Sequence, residues 1–215
     1  MRALTLWQPW AGQVFNTVSR KDIENRNTLL PLKELLEPVD DERPFFAIHA
    51  GLKYDPSPRM HYEGTATGGW AYPKGVIAPL RSGCVFGAIL GVVRVKHVLD
   101  ARARKHAGEV LGGDAGPFGE LDGQGMRLAP WWLGPIGWRL VDAIPVEPVP
   151  CKGALGCWKV PPDLAEQVRA RARAAIHAEL DGRAYVDAPN GSPHTGRSMP
   201  WMDAHDLAKA LRLFQ

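Results

Sequence analysis

The segment from Cys84 to Leu99 limits what this chain can become more than any other. Val, Ile and Leu dominate it, and β-branched side chains prefer a pleated, half-buried surface to a helix. Two glycines, Gly87 and Gly91, interrupt it where a bulge or a barrel bend can form. It is predicted to be a central strand. Pro44 to Ala50, reading Pro-Phe-Phe-Ala-Ile-His-Ala, is a second buried strand that ends at His49 and Gly51. Ala3 to Leu6 form a short first strand. Pro9 then sits where a first helical turn accepts it, and Trp10, Val14, Phe15 and Val18 follow at helical spacing. The polar stretch from Lys21 to Asn27 is either a turn or a short strand, and Leu29 to Leu36 fit a turn or two of helix.

Two more strands are expected over Gly137–Ala143 and Gly153–Val160, joined by the proline-rich link Pro145 to Pro150. Pro161-Pro162-Asp163 then starts an amphipathic helix from Leu164 to Leu180, closed by Asp181-Gly182, and a last short helix spans Asp203 to Phe214. Gly- and Pro-rich insertions near 52–83 and 100–130 interrupt the pattern. The first carries Tyr54, Tyr62, Trp70 and Tyr72, and the second a basic patch of Arg102, Arg104, Lys105 and His106. Connections this irregular do not build repeated βαβ units. The expected class is α+β, a mixed, partly closed β-barrel with flanking helices and an added C-terminal helical segment.

A chain of 215 residues holds one well-buried core with insertions, and eight tryptophans with nineteen prolines suit a turn-rich fold better than a helical bundle. The formal charge of +3 makes any contact with nucleic acid a local one. Cys84, Cys151 and Cys157 are odd in number and lack CxxC spacing, which speaks against a disulfide framework and a structural zinc site. No cofactor or metal is expected. Gln8, Pro9 and Gln13 interrupt the apolar N-terminal stretch, and no segment reaches the roughly 20 apolar residues of a membrane span. The expectation is a soluble, cytoplasmic protein.

Five segments taken together resemble the ASCH domain family, whose members have a PUA-like barrel. They are Leu4-Thr5-Leu6-Trp7-Gln8-Pro9-Trp10, Lys21-Asp22-Ile23-Glu24-Asn25-Arg26, Ala47-Ile48-His49-Ala50, Gly87 to Val93, and Pro148 to Trp158. The resemblance covers about residues 1–160 and implies a barrel domain there; the helices after Pro161 fall outside it and are expected as an extension over 161–215 packed on the barrel. It implies a pocket for a nucleobase or flipped nucleotide in RNA, DNA or a free nucleoside. Some small members remove an acyl group from the exocyclic nitrogen of a cytidine, and others are associated with RNA cleavage. In the deacylating pattern a threonine nucleophile stands three positions after a lysine and two before an arginine. Here Lys21 and Arg26 match, and the threonine position is Glu24.

Lys21 and Glu24 therefore stand as a polar pair, the lysine donating to a base carbonyl and the carboxylate accepting from an exocyclic amine. In a site closed to water the same pair is a candidate for acid/base catalysis. Without a ligand it is a surface ion pair of about 0–1 kcal/mol. Asn25 and Arg26 read as base-edge or phosphate contacts, and Trp7 as a pocket wall with Gln8 and Pro9 beside it. Trp10 is expected in the core. His49 and Gly51 close the candidate set, although a lone histidine is more often structural. One of Trp131, Trp132 and Trp138 is expected at the pocket. Arg169, Arg171 and Arg173 present a basic helix face that either tracks phosphates or is simply solvated. A protein-interaction module remains a third possibility for the loops.

Overall fold

The computed structural model describes residues 1–17, 20–26, 44–56, 79–100, 136–186 and 199–214. The strands are β1 (Arg2–Gln8), β2 (Ile23–Arg26), β3 (Phe46–Tyr54), β4 (Ala88–Asp100), β5 (Ile136–Pro150) and β6 (Cys157–Lys159). The helices are α1 (Trp10–Gln13), α2 (Pro162–Val186) and α3 (Ala204–Arg212). The strands make one sheet in the order β2-β5-β4-β3-β1-β6, in which β1 and β3 are parallel and every other pair is antiparallel. This mixed sheet curls into a half-barrel with helices against it, the α+β class expected from the strand pattern.

Alternation along each strand divides the apolar side chains into two cores. Leu4 and Leu6 of β1, Phe46 and Ile48 of β3, Val93 and Val95 of β4, and Trp138 and Leu140 of β5 pack with Ala11 and Val14 around α1. On the other face, Ala3, Ala47, Ile89, Val92, Ile144 and Val149 meet Val168, Ala172 and Ile176 of α2 and Leu207 and Ala210 of α3. These are called the α1 face and the α2 face below. Asp203 caps α3 by accepting from the Asp206 backbone N–H at 2.8 Å, the role its residue type favours at that position.

Strand β5 serves both cores because it changes sides. Ile136, Trp138 and Leu140 point to the α1 face, whereas Ile144, Val146 and Val149 point to the α2 face. The pairing with β4 moves from Val92↔Ile144 to Arg94↔Val141, so β5 carries one extra residue there. Asp142 lies in that bulge with φ 49°, and Arg94 Nε donates to its Oδ2 at 2.6 Å.

Several expected boundaries shift. The proline-rich link is not a link: β5 runs through Pro145, Pro148 and Pro150 as strand. Strand β2 covers β5 only from Ile136 to Arg139, so beyond Arg139 that side has no ladder partner among the described residues and needs no N–H donors. Strand β6 is correspondingly only three residues long. Strand β3 continues past His49 and Gly51 to Tyr54, because it stays paired to β1 as far as Gln8↔Tyr54. Strand β4 starts at Ala88, after a 3-10 turn over Arg81–Gly83. The helix after Pro9 is one turn rather than two, and α2 runs through Gly182 to Val186. The helix expected over 29–36, the aromatics Tyr62, Trp70, Tyr72, Trp131 and Trp132, and the patch at Arg102 to His106 lie outside the described residues. No described helix is long and apolar enough to cross a membrane.

The arginines of α2 hold the fold together. Arg171 Nη1 donates to the carbonyls of Glu147 at 2.8 Å and Pro148 at 2.7 Å, clipping the helix to the proline-rich half of β5. Arg173 Nη1 donates to the Phe214 carbonyl at 2.6 Å, and Glu166 accepts from both Arg169 and Arg173. The expected basic face is thus occupied by intramolecular bonds.

Gly91 marks where the sheet packs most closely, since a Cβ there would lie 2.5 Å from the Ile144 carbonyl and from the Phe15 ring. Replacing it by alanine forces backbone or ring to shift. Gly91→Ala is expected to lower the unfolding free energy in urea by about 1–3 kcal/mol, the range for overpacking, whereas Gly182→Ala, with nothing within 4 Å of its Cβ, lowers it by no more than a few tenths or raises it.

Candidate functional site

The segment before β2 is fixed at two points. The Lys21 N–H donates to the Gln13 carbonyl at the end of α1 (2.8 Å), and the Leu140 N–H donates to the Asp22 carbonyl (2.8 Å). Strand β2 then pairs with β5 in the register Glu24↔Trp138 and Arg26↔Ile136, which turns Glu24 and Arg26 toward the α1 face, where Trp138 belongs to the core. Asn25 alternates to the other side, opposite Gly137.

Lys21 and Glu24 are almost fully enclosed, with side chains 5% and 8% exposed. Lys21 Nζ contacts Glu24 Oε2, and Arg26 Nη2 lies 3.1 Å from Glu24 Oε1. The Arg26 guanidinium stands 5.4 Å from the centre of the Trp138 ring, within cation–π range. Trp138 is wholly buried, yet its indole Nε1–H has no hydrogen-bond partner among the described residues, and neither has Arg26 Nε. The carboxylate therefore lies between two cations while three buried donor atoms beside it, Trp138 Nε1, Arg26 Nε and Arg26 Nη2, make no hydrogen bond among the described residues, Nη2 meeting Glu24 as an ion pair only. Desolvating ions typically costs about as much as their pairing returns, so such a triad adds little net stability over apolar packing. An enclosed set of two cations, one carboxylate and an indole N–H is equipped to recognise a flat ligand bearing both acceptors and a donor.

The other candidate residues do not join this cluster. Gln8 is buried and saturated: its Oε1 accepts from the Gly12 N–H at 3.0 Å, and its Nε2 donates to the Val85 carbonyl at 2.6 Å. It stitches β1 to α1 and to the approach to β4. Pro9 follows it through a cis peptide and receives the Gln13 N–H at 3.0 Å, which forms the single turn of α1. Trp7 is 49% exposed, with Lys53 Nζ 5.0 Å from its ring. Trp10 is only half-buried and belongs to neither core, because its indole donates to Asp55 Oδ2 at 2.9 Å.

His49 and Gly51 alternate away from the α1 face, where Ile48 and Ala50 point. The His49 ring rests on Gly153, where a Cβ would come within 2.2 Å of its Cε1, and it meets Trp158 edge-on. Its Nε2 lies 3.3 Å from the Cys151 carbonyl and its Nδ1 3.3 Å from Thr5 Oγ1, and because the Thr5 hydroxyl proton goes to Ala154, both of these oxygens face the ring as acceptors. Thr5 in turn donates to the Ala154 carbonyl at 2.6 Å and accepts from Trp158 Nε1 at 3.0 Å. A Cβ at Gly51 would sit against Thr5 Cγ2, at 3.1 Å. His49 thus closes a buried network between β1, β3 and the turn into β6, across the sheet from Glu24. Trp138 is one of three tryptophans between which the sequence does not choose; its pairing with Glu24 depends on strand register, which no local pattern encodes.

Two measurements follow from this geometry. Burial lowers the His49 pKa below its ordinary 6.5, partly opposed by the Cys151 bond. The unfolded chain therefore takes up the proton first, and stability is present above the unfolded pKa and declines as pH falls through it toward the folded value. Urea midpoints between pH about 7.5 and about 5 are expected to fall more steeply for the wild type than for His49→Gln. At the first cluster, Glu24→Gln strands Lys21 in the interior and is expected to cost about 3–5 kcal/mol, whereas the double variant Lys21→Met with Glu24→Leu costs less. Equal losses for single and double variants would show that the pair is not buried as a unit.

No family model matches the chain, and no curated protein does. Among solved structures the chain is similar to a mutant form of the ZmASCH protein from Zymomonas mobilis, at 11% sequence identity and a TM-score of 0.37, over 79% of this chain and 94% of that one. A likeness this distant bears on neither the site nor its ligand.

Proposed function

We propose that this protein binds a nucleobase, in a nucleic acid or as a nucleotide, at the cluster of Lys21, Glu24, Arg26 and Trp138. The observation that carries the reading is the buried Lys21–Glu24 pair, with the part-exposed Arg26 on the same carboxylate, beside a fully buried indole N–H without a partner among the described residues. A base edge supplies what this set lacks: carbonyl or ring-nitrogen acceptors for Lys21, Arg26 and the indole, and an exocyclic amine for Glu24. The Arg26 guanidinium plane, already held near Trp138, offers a stacking surface. The resemblance of the N-terminal and β4 segments to the ASCH family, with its PUA-like pocket, points to the same ligand class. Trp7 and Lys53, half-exposed on another part of the sheet, do not belong to this site.

A second reading uses the same residues. The direct contact between Lys21 and Glu24 is an arrangement in which a carboxylate orients water and a lysine donates a proton, as hydrolysis of an N-acylated nucleoside or of RNA requires. Glu24 in place of a hydroxyl nucleophile makes water the attacking group in such a reaction.

One experiment tests both. The protein is incubated with modified and unmodified nucleosides and with short RNA and DNA strands, and binding and product are scored together by mass spectrometry. Binding without product is expected. Arg26 is the most exposed member of the triad, so Arg26→Gln leaves the fold intact and is expected to weaken binding roughly 10- to 100-fold, the value of one hydrogen bond to a charged group. Affinity unchanged in a folded Arg26→Gln protein, or no binding across the panel, would overturn the reading; product formed by the wild type and lost in a Glu24→Gln protein that keeps a folded melting transition would replace it with the hydrolase.

A further inference from the structure

A cleft of about 570 Å³ opens on the far side of β4 and β5 from Glu24, lined by both strands, by Arg20, by Trp201 and by Asp206 and Lys209 of α3. Its size lies within the roughly 300–1,000 Å³ of ligand sites, and its lining is strongly cationic. Arg20, Arg94, Lys96, Arg139 and Lys209 face Asp142 and Asp206, with Asp22 behind Arg139. Strand alternation contributes to it: Arg139 is the neighbour of Trp138 on β5, and Arg94 and Lys96 alternate with Val93 and Val95 of the α1 core on β4.

The cations are held in place rather than waving in solvent. Arg94 is clamped on Asp142 in the β5 bulge, and Arg139 Nη1 lies 2.7 Å from Asp22 Oδ2. Arg20 Nη1 donates to the Leu140 carbonyl at 3.3 Å while its guanidinium stacks 5.1 Å above Trp201, whose own indole is fixed to the Ala143 carbonyl at 2.8 Å. Asp142 is a non-glycine residue at positive φ, a conformation that costs free energy and recurs at functional positions. Burial also works against the charge on Arg20, and the attraction of Asp22 and Asp142 more than offsets the repulsion from the neighbouring Arg139. An anion in the cleft adds a further counter-charge to this partly desolvated guanidinium. Rigid guanidinium forks at several points, with lysines at the rim, match a ligand carrying phosphate oxygens better than a single carboxylate does.

We infer that this cleft is a phosphate-binding site, taking the phosphodiester backbone of a nucleic acid or a free phosphate group. It stands on its own lining and does not depend on base binding at the Lys21 cluster. Lys96 and Lys209 lie toward its rim and can be reversed with little effect on the core.

The test uses the full chain with a fluorescent single-stranded oligonucleotide, read by anisotropy across a salt series, and with inorganic phosphate as competitor. Lys96→Glu combined with Lys209→Glu is expected to weaken oligonucleotide binding roughly tenfold at low salt and to flatten the slope of log K against log salt by about 2. Arg139→Gln, checked for an intact melting transition, is expected to act in the same direction. Displacement by millimolar inorganic phosphate identifies a free phosphate as sufficient ligand, and binding that only the oligonucleotide shows identifies the backbone. The inference is overturned if the wild type binds neither, or if the folded variants keep wild-type affinity and salt slope. Arg26→Gln serves as the control: loss of base binding there with the salt slope intact removes the base site and leaves this one standing.

Discussion

Halfway along β5 the chain inserts one residue more than its partner strand, and Arg94 reaches from β4 to hold Asp142 in that bulge. Before it, alternate side chains of β5 feed the α1 core; after it, they feed the core beneath α2 and α3. A regular strand would put Ile144 and Val146 on the same face as Trp138 and Leu140, and α2 would lose much of the surface it packs on. The proline-rich half of β5 beyond the bulge, without a second ladder partner among the described residues, is clipped by Arg171. The face that Ile144 and Val146 serve thus depends on one clamped turn of backbone, and a further irregularity opposite Ile89 and Gly91 brings Val149 to the same core.

The same strand places chemistry on both sides of the sheet. Trp138 lies under the Lys21–Glu24–Arg26 triad, and Arg139, one residue on, lines the cationic cleft. Enclosing a lysine, a carboxylate and part of an arginine against an indole brings the fold little that apolar side chains of the same volume would not supply. The base-recognition site proposed above gives this buried polar set a role that packing alone does not supply. His49, by contrast, has its neighbours fully accounted for by Thr5, Cys151, Gly153 and Trp158, and its place in the fold needs no ligand.

What could be read from the sequence depended on how local its cause was. The strands at 44–50 and 84–99 and the helix after Pro161 follow from runs of residue types, and they appear with shifted ends. The contact of Lys21 with Glu24 is legible only when the segment is read as a turn, since three residues of spacing put side chains on opposite faces of a strand; Lys21 lies before β2, which begins at Ile23. The proline-rich strand was not visible, since prolines are compatible with a strand only where one edge lacks a partner, and that depends on where β2 stops. Nor could spacing separate Gln8 and His49 from the triad. Sheet alternation puts His49 on the opposite face, and the Gly12 and Val85 contacts of Gln8 reach across the fold. Trp138 was one of three equal choices until register with Glu24 selected it.

The most direct test of the central claim, that the buried triad beside Trp138 is a base-recognition site, is the indole Nε1–H resonance of Trp138 in a ¹H–¹⁵N spectrum, assigned by Trp138→Phe, during titration with nucleosides. A saturable shift of that resonance, absent in Arg26→Gln, is the expected result. A resonance that stays fixed while nucleosides bind elsewhere on the protein would contradict it.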